Sequence, residues 1–241
     1  MSNVVRLLQL ASPALPIGGY SYSTGLESAI EAGEVREPDS ALRWIDDALS
    51  LVIGRFDAPL VAAAMRACDA GDQAALDELN RLALAARETA ELRLESEQMG
   101  YSLMQWIDQV PGRSAPQAPP AQVEGDAAQG RDPEATTPWP AAPVAAAVAW
   151  AIAAWRLGLT AGDAVTGFLW SFVENQVMVL IKTIPLGQIQ AQRVLHRLGP
   201  RIEAVAQAAV LLSPAQWSNA APGLAIASMG HETQYSRLFR S

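Results

Sequence analysis

One cysteine, Cys68, occurs in 241 residues. No disulfide can close within the chain and no thiolate cluster can form, which fits a reducing compartment. Lysine is just as scarce. Lys182 stands alone, and no glycine-rich loop precedes it, so the phosphate cradle of a kinase or P-loop GTPase is excluded. The two histidines, His196 and His231, have no second histidine or cysteine at ligand spacing, whereas tetrahedral zinc needs four donors. No EF-hand spacing appears. The Gly18-Gly19 pair lacks the preceding strand that a dinucleotide fingerprint requires. β-branched residues are sparse, and no alternating apolar runs flank an Asn-Gly or Asp-Gly turn, so a sheet is not expected. Positive charge is short as well. Seventeen Lys and Arg face twenty-five Asp and Glu, for a net charge of −8, the wrong sign for a general nucleic-acid binder.

What the chain has instead is helix-forming apolar residue. Half its residues are hydrophobic, alanine and leucine dominate, and apolar positions recur every three or four residues. The expected fold is all-α, a single globular domain of about ten helices. Helices are predicted over residues 39–53, ended by Gly54, and from 57 to about 70. Others follow at 72–86, 88–107, 144–157 and 160–184. A further helix follows Leu186-Gly187-Gln188, one begins or is kinked at Pro200, and one starts at Ser213-Pro214. Glu88, Glu91, Arg93, Glu95 and Glu97 read as a solvated charged face. Residues 111–143 hold eight of the sixteen prolines and read as an exposed, flexible loop between two helical halves. The first ten residues lack the charge and apolar core of a secretory signal. The uncharged stretches at 135–155 and 204–231 are too short or too interrupted by proline and polar residues to span a bilayer. No membrane or nucleic-acid partner is expected.

The N-terminal stretch from Leu8 to Glu27 concentrates two prolines, a glycine pair and small hydroxyl residues ahead of Thr24-x-x-Glu27, which has capping-box spacing and predicts a helix ending at Gly33. Ser12, Pro13, Pro16, Gly18, Tyr20, Ser21, Ser23, Gly25, Leu26 and Glu27, in that order, resemble the N-terminal signature of the urease accessory protein family UreF. A second similarity runs from Trp170 through Asn175 and Lys182-Thr183-Ile184-Pro185-Leu186-Gly187-Gln188 to Gln192-Arg193. The third is the tail. His231-Glu232-Thr233-Gln234-Tyr235-Ser236-Arg237-Leu238-Phe239-Arg240-Ser241 resembles UreF tails and carries Tyr, Arg and Phe, residue types enriched at binding hot spots. Without the resemblance, an untidy tail or a tail folded back on its own core reads equally well.

The resemblance implies a non-catalytic, cytoplasmic urease maturation factor that needs no cofactor. It implies a homodimer that binds UreD (also called UreH), recruits the GTPase UreG, and helps couple GTP hydrolysis to nickel delivery into apo-urease. Partner contacts are then expected at Pro16, Gly18, Tyr20, Ser21 and Glu27, and at His231, Tyr235, Ser236, Arg237, Leu238, Phe239, Arg240 and Ser241. Arg237 or Arg240 could act on the GTPase in trans. The rival classes are a helical enzyme using Cys68, His196 or His231, and a helical scaffold with unrelated partners. Cys68 itself reads as a small buried hydrophobe.

Overall fold

A computed structural model describes residues 1–110, 112–113 and 139–241, so most of the proline-rich loop expected at 111–143 lies outside the described residues. The described residues form nine helices and no strand, as the all-α reading requires. They are α1 (Asn3–Leu10), α2 (Leu26–Glu31), α3 (Pro38–Ala70), α4 (Gln73–Ala85), α5 (Ala90–Gln109), α6 (Ala146–Arg156), α7 (Ala161–Thr183), α8 (Gln188–Ala209) and α9 (Pro222–Thr233). Side-chain caps start several of them. Asp72 accepts from the Ala75 amide, Thr89 from Leu92, and Thr160 from Asp163. Each satisfies a donor that the first helical turn leaves without an intrahelical partner.

Four local expectations differ from the structure. Residues 38–70 make one helix rather than two, because the backbone passes Gly54 in a π-helical segment, Leu49–Asp57. A β-carbon on Gly54 would come within 2.3 Å of a Val205 methyl on α8, so this glycine permits a close crossing instead of ending a helix. Pro200 lies inside α8, which runs through it. Ser213-Pro214 opens only one 3₁₀ turn, Pro214–Gln216, and the following helix starts at Pro222. Finally, α1 is a helix that the sequence reading did not separate from the signature, capped by Ser2.

The core is built around α6. Ala147 through Trp155 are all buried, and the helix packs against α3, α5 and α7. A helix apolar on every side belongs in the middle of a bundle. Its indoles find partners there: Trp150 Nε1 donates to the Ala164 carbonyl at 2.9 Å and Trp155 Nε1 to Asp69 at 2.8 Å. Trp139 stacks edge-on against Trp155 at 6.0 Å, so the chain is seated in the core several residues before the loop was expected to end. By length and composition α3 and α7 could cross a membrane, but 78% of the apolar window of α3 and 50% of that of α7 are buried inside this fold.

The α5–α6 approach is limited by backbone. A β-carbon at Gly100 would sit 1.8 Å from the Val144 carbonyl oxygen, and backbone cannot rotate away as a side chain can. Gly100→Ala should therefore lower stability by about 1–3 kcal/mol or more, as overpacking does. That corresponds to about 2–4 °C of melting temperature per kcal/mol in a chain this size. Gly223→Ala, whose β-carbon meets nothing within 4 Å, should stay within about 1 kcal/mol of the parent. Thermal unfolding of the two variants checks both.

Candidate functional site

The two signature ends of the chain lie against each other. Gly25, at φ +81°, turns the backbone into α2, and Thr24 just before it is held at φ +54°. That value is strained for a β-branched residue. The expected capping box at Thr24 is not formed. The Thr24 hydroxyl instead donates to Glu95 on α5 at 3.3 Å, and Ser23 Oγ accepts from the Glu27 amide at 3.3 Å. Ser23 also meets the last residue, its amide donating to the Ser241 main-chain oxygen at 2.7 Å and its hydroxyl bonding the same atom. One step earlier on the tail, the Arg240 amide donates to the Ser21 carbonyl at 2.8 Å.

Glu27 is the centre of this junction. Released from helix capping, its carboxylate is buried and accepts from the Leu238 amide at 2.7 Å and the Phe239 amide at 3.0 Å. His231, fully buried on α9, places Nε2 3.2 Å from Glu27 and Nδ1 2.6 Å from Glu91 on α5. The other oxygen of Glu91 accepts from Arg237 at 2.5 Å. Ser241 Oγ donates to Glu95 at 2.5 Å. The middle stretch singled out in the sequence comes to the same place. On α7, Asn175 donates to the Tyr22 carbonyl at 2.9 Å and Gln176 to the Ser23 carbonyl at 3.1 Å. Tyr20 donates to Glu174 at 3.0 Å, and the Lys182 ammonium lies 5.1 Å from the centre of the Phe239 ring.

The residues expected at a partner surface divide by orientation. Glu27, His231, Phe239 and Ser241 point inward and hold the junction together; Tyr20 and Ser21 are half-buried. Pro16, Gly18, Tyr235, Ser236, Arg237, Leu238 and Arg240 are exposed. Of these, Pro16, Gly18, Arg237 and Arg240 line a groove in which two clefts share Tyr22, Leu94, Gln98 and Arg240, with Leu94 and Tyr101 of α5 exposed on it, while Tyr235 lies at a separate cleft with Ser28 and Glu31 of α2.

Sequence reasoning missed the part played by α5. Glu91 and Glu95 were assigned to a solvated face, yet they receive His231, Arg237, Thr24 and Ser241. Only Arg93 and Glu97 pair with each other there at 2.8 Å as a surface ion pair. The four-residue spacing of Glu91 and Glu95 puts two carboxylates on one stripe of α5, a signal that something basic or rich in amides could cover it. Burial raises the Glu95 carboxyl above its ordinary value of 4.5, against the lowering effects of the Ser241 hydroxyl, Arg87 and Thr24. Burial also raises the Tyr20 phenol, reinforced by Glu174. The Cys68 thiol is pushed up to about 12 by burial and by Asp69, so it is a poor nucleophile near neutrality. His196 is exposed on α8 and His231 is committed to two carboxylates, so the structure does not build a dyad from these residues. Among the described residues no group of three or more His, Cys, Asp or Glu is arranged to hold a metal ion.

Two outcomes follow from this geometry. Glu27→Ala leaves two amides and a buried imidazole without their acceptor, at roughly 1–3 kcal/mol per unpaired group. Hydrogen exchange at Leu238 and Phe239 should then speed up at least about tenfold while α6 stays protected; unchanged exchange at those two amides would show that Glu27 does not hold the tail. Glu95 gives a pH test. The folded chain keeps the Glu95 proton to higher pH than the unfolded chain does, so its ionisation opposes folding. That penalty is absent below about pH 4.5 and grows as pH rises through the raised value. Glu95→Gln should therefore gain stability relative to the parent as pH increases, read from urea midpoints across that range.

The family model described as UreF matches residues 35–199. A urease accessory protein UreF from Ectopseudomonas mendocina is 49% identical over 235 residues, covering 98% of this chain and 97% of its own. The UreF proteins of Azoarcus sp. and Azotobacter vinelandii are 47% and 46% identical over 241 residues, covering 99% and 100% of this chain and 95% and 100% of their own. With the family model covering most of the chain and relatives covering nearly all of it, this protein belongs to the UreF family of urease accessory proteins.

Proposed function

We propose that this chain acts in urease maturation as a non-catalytic, cytoplasmic docking factor, a chaperone for nickel insertion rather than an enzyme. In this reading it forms a homodimer, binds UreD/UreH, and through the assembled complex engages UreG and apo-urease, helping to couple GTP hydrolysis to nickel delivery. The observation that supports the reading is the junction of the chain ends. A tail that would ordinarily fray is fastened by Glu27 and Ser23, and the fastening leaves Tyr235, Arg237, Leu238 and Arg240 turned outward, with Arg237 and Arg240 lining the groove that carries Leu94. A rigid tail loses little conformational freedom on binding, so its aromatic, apolar and guanidinium groups act at full strength.

The inward and outward residues then have separable jobs. Glu27, His231, Phe239 and Ser241 position the tail, while Tyr235, Leu238 and Arg240, together with Pro16 and Gly18, make the contacts. Arg237 does both, since it already holds Glu91 and still reaches solvent. Any effect of Arg237 or Arg240 on a partner's GTP hydrolysis rests on this same exposure.

Combined Tyr235→Ala and Leu238→Ala substitutions should leave the melting temperature within a few degrees of the parent. They should weaken co-purification with UreD/UreH and UreG by more than about tenfold, the scale of losing hot-spot side chains. Retention of both partners at parental levels would rule out the tail as the contact surface. Loss of binding together with a large fall in melting temperature would instead mean that these side chains support the fold.

A further inference from the structure

Away from the tail junction, α1 meets the C-terminal ends of α5 and α6 around an open cleft of about 480 Å³. Arg6, Arg113 and Arg156 line it together with Gln9, Leu157 and Gly158. No carboxylate among the described residues lines it. In a chain with seventeen Lys and Arg and a net charge of −8, three guanidinium groups around one space are a local excess of the scarcer sign.

The guanidinium groups are held in place. The Arg113 amide donates to the Arg156 carbonyl at 2.8 Å, Arg113 Nη1 lies 3.7 Å from Asp69, and its guanidinium carbon stands 5.7 Å from the centre of the Trp155 ring. Arg156 Nη1 lies 3.5 Å from Asp108. Arg6, half-buried on α1, pairs with no carboxylate among the described residues. Gly158, at φ +73°, has no side chain at the point where two of these groups meet. A β-carbon there would lie 3.1 Å from Arg6 Nη1, and 3.6 and 3.8 Å from Arg113 Nε and Nη2. Asp69 and Asp108 therefore engage one terminal nitrogen each, and the Nε–Nη2 edge of Arg113 faces the same point as Arg6. That edge is the fork that grips two oxygens of a single oxyanion. The carbonyl end of α6 offsets only part of one charge. An anion between the guanidinium groups would remove the repulsion that remains.

We propose that this cleft binds the phosphate group of a small molecule. A phosphate offers at least three acceptor oxygens and close to two negative charges, enough to meet Arg6, Arg113 and Arg156 at once. A carboxylate has two oxygens and one charge, and one fork satisfies it. The Gln9 amide adds a neutral donor at the edge of the site. Val110 and Leu157 bring apolar surface to the same wall, so a phosphate ester of a small apolar group fits as well as free phosphate does. None of these residues belongs to the tail junction, and the site does not rest on the docking reading.

Isothermal titration of the full chain with inorganic phosphate and with phenyl phosphate, at constant ionic strength, tests the proposal. The full chain is used because residues 114–138, outside the described residues, carry Glu124, Asp126, Asp132 and Glu134. The expected result is saturable binding with a Kd below about 1 mM, and amide shifts in NMR spectra at Arg113 and Gly158. Arg6→Ala should weaken binding at least about tenfold, the scale of losing hydrogen bonds to a charged group, with an unchanged melting temperature. Arg6→Lys keeps the charge without the fork and should fall between the two. Arg43→Ala removes the same charge from an exposed position on α3 and should bind as the parent does. Tighter binding of phenyl phosphate would identify an ester as the source of the group, and equal binding would identify free phosphate. The proposal is overturned if neither probe saturates the chain below about 10 mM. It is equally overturned if acetate binds as tightly as phosphate, or if Arg43→Ala weakens binding as much as Arg6→Ala.

Discussion

A single buried carboxylate, that of Glu27, ties the beginning of this chain to its end. A carboxylate taken out of water must be met by charge or by hydrogen-bond donors, and it cannot be left alone. The donors come from the tail, as the Leu238 and Phe239 amides, and from His231 on α9. Everything nearby follows from that requirement. His231 must be buried beside it, which brings α9 onto α2. The second ring nitrogen then needs a partner, and Glu91 provides one. The main chain of the tail must run past Ser23 and Ser21, which fixes the last residue against the first signature.

The consequence for function is a division of labour between side chains two or three residues apart. The last four residues alternate between exposed and buried along a bent path. Phe239 and Ser241 go down into the junction, whereas Leu238 and Arg240 go up into solvent. The same short tail can therefore be both a structural clasp and an outward surface. A change at an inward residue would move the outward ones, which is why loss of binding alone does not separate the two roles.

Much of this architecture was legible in the sequence. The apolar run at 144–157 reads as a central helix because no face of it could tolerate water, and it is central. Thr160 and Asp163 announce the start of α7 through local chemistry that needs nothing from the rest of the fold. Where local signals failed, a distant contact had overruled them. Gly54 reads as a helix end, but the approach of Val205 from α8 needs its missing side chain. Thr24 and Glu27 have the spacing of a capping box, yet Glu95 and the tail amides compete for the same groups and win them. Glu91 and Glu95 read as solvated because no spacing rule on α5 reveals that residues some 140 positions later will cover them.

The sequence by itself determined the helical class, the core helix, the exclusion of a P-loop and of a disulfide framework, and the resemblance to a family. Those depend on composition, short periodicity and the order of residue types, all of which are local. Only the tertiary structure decided that the three resembling stretches form one place and that His231, Phe239 and Ser241 of the tail face inward. It also brought the buried Asp57–Arg87 pair together beneath the signature. The reason is that a buried charge or an unpaired acceptor sets its terms in three dimensions, through partners the chain brings together only on folding.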